Sequence, residues 1–193
     1  MTKEEIKRNL SKALNILYEK DFYLIKEKAH ERTITHMLAL HLVNFFPEYD
    51  IDCEYDIDKT NLDGEYPGKK EIEILIKDLE KFKNSILQSP NRKFTVEDLE
   101  IFVHLNIYPD IIIHKRGTNE SNILVIELKK STNFNNKSHE LDRIKLKAYT
   151  SERLKYQIGA FINLSVSENF KKEQTEIEYY ENGGYEAGEK LQS

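Results

Sequence analysis

The sequence predicts an α/β fold in which a mixed central β-sheet is flanked by helices. Three observations carry that expectation. Stretches of helical period stand near the N-terminus, two apolar runs joined by a short polar break occupy residues 109–129, and a further apolar run follows a helical segment near residues 158–166. The resulting order is helices, strand, helix, paired strands, helix, strand, a pattern that needs a sheet covered on both faces.

Taken in order, Thr2 and Glu5 form a capping box ahead of Ile6, Leu10, Ala13, Leu14 and Leu17, which predicts a first helix. A second helix is expected over 28–46, with Ile34, Leu38, Leu42 and Phe45 on one stripe and Pro47 stopping it. DIDCEYD at 50–56 reads as a short strand, and 61–69, with Asp63-Gly64 and Pro67-Gly68, as a loop. The stripe of Ile72, Leu75, Ile76, Leu79, Phe82 and Ile86 predicts a helix over 70–88. Thr95 and Asp98 suggest a brief capped turn before the chain extends through FVHLNIYPDIIIH. Residues 115–122, with Gly117, form the connection to a strand at 123–129. An Asn-rich loop at 131–138 precedes a helix near 140–149, then the strands GAFINLSV and QTEIEYY. Asn182-Gly183-Gly184 is read as a break, which gives one domain over 1–185 and a loose acidic tail over 186–193.

The bulk properties exclude several classes. The chain has 193 residues, 39% hydrophobic and 33% charged, enough for one buried core and without the bias of a disordered protein. No apolar run is long enough to span a bilayer, and the opening MTKEEIKRNL is too charged for a secretory signal, so a cytoplasmic protein with no membrane partner is expected. The lone Cys53 excludes an internal disulfide and a cysteine-rich zinc site. A net charge of −5 argues against indiscriminate coating of nucleic acid, yet residues 109–160 hold ten Lys/Arg against six Asp/Glu. That local excess of positive charge falls on the segment with the most distinctive chemistry.

That segment reads YPDIIIH, a polar break, then NILVIELKK. Side chains alternate along a strand, so Glu127 and Lys129 project to one face while Ile126 and Leu128 point to the other. Asp110 heads the preceding run and meets them if the two strands pair. Two hard oxygen donors and one cation at one place suit a magnesium-like ion and a phosphodiester. An acid inside ILVIEL is costly to bury without a partner, which weighs against an incidental edge charge. Glu31 extends the apolar stripe of the second helix, although an acid in a first helical turn is also favoured by the macrodipole. Asp52 and Glu54 fit a solvated edge. Asp142 and Lys145, three apart on one helix, fit an ion pair there, and a turn carrying His114, Lys115 and Arg116 fits either a charged tip or a phosphate contact. His36, His41 and His104 show no ligand spacing.

With Pro109-Asp110 and Glu127-Leu128-Lys129, the chain resembles the PD-(D/E)XK nuclease superfamily. Over about 52–164 it is similar to a bacterial branch that is largely uncharacterised. The resemblance implies a restriction-endonuclease-like sheet and Mg2+, with Mn2+ as a substitute, held by Asp110, Glu127, the Leu128 carbonyl and Glu31. Catalysis would rest on Asp110, Glu127 and Lys129. Lys115, Arg116, Lys130 and Lys145 become candidate nucleic-acid contacts, with DNA favoured over RNA. A divalent-metal-dependent DNA endonuclease acting in bacterial or phage defence is therefore expected. Chains that cut both strands often pair, so a homodimer is a further expectation, although no interface signature is evident. The competing class is a catalytically silent module of the same fold that binds nucleic acid or a protein partner.

Overall fold

The computed structural model describes residues 1–55, 57–58, 68–69, 71–75, 79, 94–97, 100–118 and 120–192. Helices α1 (Lys3–Lys20), α2 (Phe22–Lys26) and α3 (Glu31–Leu42) open the chain. The expected capping box is present, with the Glu5 N–H donating to Thr2 and the Thr2 N–H to the Glu5 carboxylate. Ile6, Leu10, Ala13, Leu14 and Leu17 are fully buried along one face of α1, each large one worth about 1.5–3 kcal/mol of transfer free energy. Helix α3 starts after His30, whose ring accepts from the Arg32 N–H, so it is shorter than the predicted 28–46.

Six strands build the main sheet: β1 (Asp50–Cys53), β7 (Ile111–His114), β8 (Leu124–Lys130), β9 (Ile158–Leu164), β10 (Glu176–Glu181) and β11 (Gly184–Lys190), paired in that spatial order. All neighbours are antiparallel except β8 and β9, which run parallel. The β8-to-β9 crossover is made by helix α4 (Asn136–Thr150). Even-numbered residues of β8 and β9, such as Ile126, Leu128 and Ile162, pack under α1 and α3. Val125 and Phe161 face the other way, towards Leu146 and Tyr149 of α4. A Cβ at Gly159 would meet Leu146 Cδ2 at 3.1 Å, so the glycine lets α4 lie close on the sheet.

A second sheet orders β4 (Glu71–Leu75), β6 (Glu100–Asn106) and β5 (Phe94–Glu97), all antiparallel, and β2 (Ile57–Asp58) pairs with β3 (Gly68–Lys69). Ile72, Ile74, Val103 and Leu105 join the core on the α4 side.

Three expectations are corrected. Residues 71–75 are a strand and not the start of a helix; EIEIL satisfies period two, and Ile72 and Ile74 bury one face. The rest of that predicted helix, apart from Leu79 in a 3-10 turn, lies outside the described residues, as do 61–67 of the expected loop. Thr95 belongs to strand β5, and Asp98, its expected capping partner, lies outside the described residues. The stretch expected as a loose acidic tail over 186–193 is mostly strand β11, with Leu191 buried beyond it. Asn182 and Gly183 both have positive φ, 49° and 76°, which turns the chain back in a tight hairpin instead of ending the fold. Among the described residues no helix is long and apolar enough to cross a membrane.

Candidate active site

The pairing of β7 with β8 decides the geometry. Its register matches Ile111 to Ile126, and one further step sets Asp110 opposite Glu127. Asp110 lies just outside β7, so its carboxylate is free to accept the Leu128 N–H at 2.7 Å. The parallel register of β8 with β9 places Phe161 beside Glu127 and Asn163 beside Lys129 on the same face.

Lys129 gathers oxygens around its ammonium. Its Nζ stands 3.1 Å from Asp142 Oδ2, 3.3 Å from Glu31 Oε1 and 4.0 Å from Asp110 Oδ2. It also donates to the Leu128 carbonyl at 3.2 Å, so that carbonyl faces the same space. Deeper in, Glu127 is 2% exposed and accepts the Tyr149 hydroxyl at 3.1 Å. Lys145 Nζ lies 2.7 Å from Asp142 Oδ1 and 3.8 Å from Glu127 Oε1. Glu31 and Asp110 keep about a quarter of their side-chain surface exposed, at 26% and 24%, whereas Glu127 and Asp142 keep almost none. The cluster is therefore entered from the Glu31 and Asp110 side.

The protonation equilibria follow from this packing. Burial pushes the Asp110 carboxyl up to about 6; Asp142 and Glu31 add to the rise, while Lys129 and the Leu128 N–H oppose it. Burial also raises Glu127 well above the usual carboxylate range, helped by Asp110 and Asp142 and opposed by Lys145 and Lys129. Burial alone would lower both lysines, but the surrounding carboxylates prevail and raise them, so both stay charged at neutral pH. Burial holds the Tyr149 hydroxyl protonated, with the Glu127 charge adding to the effect.

Helix α4 is seated by a second group of contacts. Arg143 makes a two-pronged pair with Glu178 on β10, at 2.8 and 2.7 Å, and its guanidinium lies 4.4 Å from the Phe161 ring centre. Lys130, one residue beyond Lys129, points the other way and donates to the Lys28 and Ala29 carbonyls at 3.1 and 2.9 Å. It thereby fixes the loop that delivers Glu31 at the start of α3.

Of the residues expected from sequence, the fold brings together Asp110, Glu127, Lys129, the Leu128 carbonyl, Glu31 and Lys145. It does not bring Lys115, Arg116 or Lys130 into the cluster. Arg116 pairs with Asp50 and Asp52 on edge strand β1, at the end of β7 away from Asp110, and its charge with the His114 contact lowers the Asp52 carboxyl despite partial burial. Lys115 is exposed, its Nζ 6.0 Å from the Tyr49 ring. Asp142 and Lys145 are an intrahelical pair and members of the site at once. Tyr149 was not singled out from the sequence; its spacing of seven from Asp142 and four from Lys145 puts all three on one helical stripe, which is the signal that could have found it.

The donor chemistry suits a hard divalent cation: carboxylates, one backbone carbonyl, and no sulfur. Asp142 Oδ2 is buried without a well-aligned hydrogen-bond donor, although the Lys129 ammonium stands beside it. Four carboxyls against two ammoniums leave a formal charge of −2 when all are ionised. Yet among the described residues no three His, Cys, Asp or Glu side chains are arranged to hold a metal ion. The ammoniums of Lys129 and Lys145 occupy the cationic positions between the acids instead.

Comparison of the chain with protein-family models, with curated proteins and with solved structures gave no match.

Proposed function

We propose that this cluster is the active site of a divalent-metal-dependent phosphodiesterase, a DNA endonuclease on a restriction-endonuclease-like fold. The convergence of Asp110, Glu127 and Lys129 carries the reading: one residue at the entry to β7 and two from its partner β8 come together at one partly open place. Their resemblance to the PD-(D/E)XK pattern supplies the reaction class, and a role in bacterial or phage defence rests on that resemblance alone. Mg2+ or Mn2+ would be held by Asp110 and Glu127, with Glu31 and the Leu128 carbonyl, both turned towards the Lys129 ammonium, as further oxygen donors. Such an ion, when bound, supplies Lewis acidity to the phosphate and a more acidic water.

The chain's own groups do the rest. Asp110 offers its free oxygen while Leu128 N–H fixes the other. Tyr149 fixes the orientation of Glu127 by donating to it. Lys129 stays charged through the neutral range and can follow negative charge onto a phosphate, because lysine is a mobile point charge on a flexible stem. Lys145 holds Asp142 in place and shares the neutralisation of Glu127.

A second reading has one observation in its favour: both lysines already neutralise the acids a cation would need. On that reading the protein is a silent module of nuclease-like fold that binds nucleic acid or a protein partner. The two separate in one experiment. Purified protein is incubated with supercoiled plasmid, linear DNA and RNA, with Mg2+ or Mn2+, and with EDTA as control. Cleavage that requires the ion and is lost in Lys129→Ala and Asp110→Ala supports the enzyme. Cleavage undiminished in both variants would assign the activity elsewhere, and no cleavage of any substrate by the wild type leaves the module.

A further inference from the structure

The loop joining β8 to α4 carries the most exposed large hydrophobic side chain among the described residues, Phe134, at 86%. Single apolar residues on a surface are common, so exposure alone says little. Three further observations give it weight.

The first is position. The loop leaves the strand that holds Glu127 and Lys129 and enters the helix that holds Asp142 and Lys145. A turn closes it, the Asn133 N–H donating to the Lys130 carbonyl at 2.8 Å, which keeps the two Cα atoms within about 7 Å of each other. Phe134 follows directly. The second is order. Ser131 N–H donates to Leu164 O at 2.8 Å, Asn136 N–H to Phe134 O at 3.0 Å, and the Asn133 and Asn135 side chains accept from the Asn135 and Ser138 N–H groups at 3.1 and 3.3 Å. The backbone is tied on both sides of a ring that belongs to neither core cluster. The third is surroundings. Asn135, Asn136 and Lys137 follow the ring directly and are exposed, and no acid falls between 128 and 139.

One flat aromatic in a collar of amides and one cation does not suit an apolar protein partner, which needs a wider apolar patch. It suits a nucleobase, whose face stacks on the ring while a backbone phosphate meets the exposed Lys137. Inside a duplex the bases are already stacked on each other, so the ring gains a partner only where a base is unpaired.

We propose that Phe134 is a base-stacking subsite and that the preferred substrate presents an unpaired base beside the scissile phosphate. The proposal rests on the nuclease reading and names its substrate class. The chain has no tryptophan, so Phe134→Trp introduces a single indole at the subsite. Wild type, Phe134→Ala and Phe134→Trp are titrated in EDTA with a labelled 20-nucleotide single strand and with the matching duplex, reading anisotropy and indole emission. Melting temperatures confirm that each variant is folded. The proposal predicts quenching of the indole by the single strand and about five- to 100-fold weaker single-strand binding by Phe134→Ala, with duplex binding unchanged. Single-strand binding that leaves the indole unquenched and Phe134→Ala unaffected overturns the subsite while leaving the nuclease reading in place. Failure of the wild type to bind or cut any nucleic acid overturns both.

Discussion

Replacing Asp110 by Asn should stabilise the protein without metal while removing any metal-dependent cleavage, and the structure sets the size and pH range of the stability effect. The Asp110 carboxyl is raised from an ordinary value of 3.8 to about 6 because burial takes it out of water, with the charges of Asp142 and Glu31 adding to the rise against Lys129 and the Leu128 N–H. A raised folded-state pKa means that the stability contribution is complete below about 4, where the group is protonated in both states. It is lost as pH rises through about 6, where the folded protein must ionise a group that the unfolded chain ionises more easily. The full loss at pH 7.5 is on the order of 3 kcal/mol, taking 1.36 kcal/mol per unit. Asn is neutral at every pH and its carbonyl can still accept the Leu128 N–H. Asp110→Asn should therefore match wild type near pH 4 and melt several degrees higher at pH 7.5, up to about 10 °C for a chain of this length. Differential scanning calorimetry in EDTA across pH 4–8 measures it. A difference that does not change with pH, or an Asn variant less stable at pH 7.5, would refute the electrostatic account of the cluster.

Other expectations test its remaining parts. Tyr149→Phe keeps the ring but removes the donor to buried Glu127, and should cost about 1–3 kcal/mol of stability together with much of any cleavage rate; unchanged melting and rate would make the bond incidental. Lys130→Met should lower stability by about 1 kcal/mol, through the two carbonyls it leaves unpaired, and leave the salt dependence of DNA binding unaltered. A salt slope reduced by about one would instead make Lys130 a phosphate contact. Arg116→Ala should likewise leave the slope unaltered, because its guanidinium already pairs with Asp50 and Asp52.

The parts of the fold legible in the sequence are those where one local signal had no competitor. YPDIIIH and NILVIELKK are rich in β-branched residues and separated by a glycine-containing polar break, so the β7–β8 pair and the meeting of Asp110 with Glu127 could be expected from them. The Thr2–Glu5 capping box marked the start of α1 in the same way. Where two periods fitted one stretch the reading went wrong. Ile72, Leu75, Ile76 and Leu79 match a helical stripe, but Glu71–Leu75 also alternates, and pairing with β6 decides in favour of the strand. The acidic chain after 185 carries little apolar content of its own, and its strand forms because the Asn182-Gly183 turn returns it to β10. Lys130 is a candidate nucleic-acid contact from the sequence resemblance. Alternation sends it to the opposite face from Lys129, where it holds the loop before α3. Tyr149 stayed hidden because a tyrosine on an apolar helix stripe looks like core until the acid it serves is placed beneath it.

If the acids around Lys129 serve a divalent cation, with the ammoniums as counter-ions in its place, the protein must bind such an ion through Asp110 and Glu127. Counting bound Mn2+ by electron paramagnetic resonance at pH 7.5 tests it most directly. Saturable binding of an ion by wild type, lost or strongly weakened in Asp110→Asn and Glu127→Gln, is the result expected. No saturable Mn2+ binding, or equal binding by wild type and both variants, would contradict the claim.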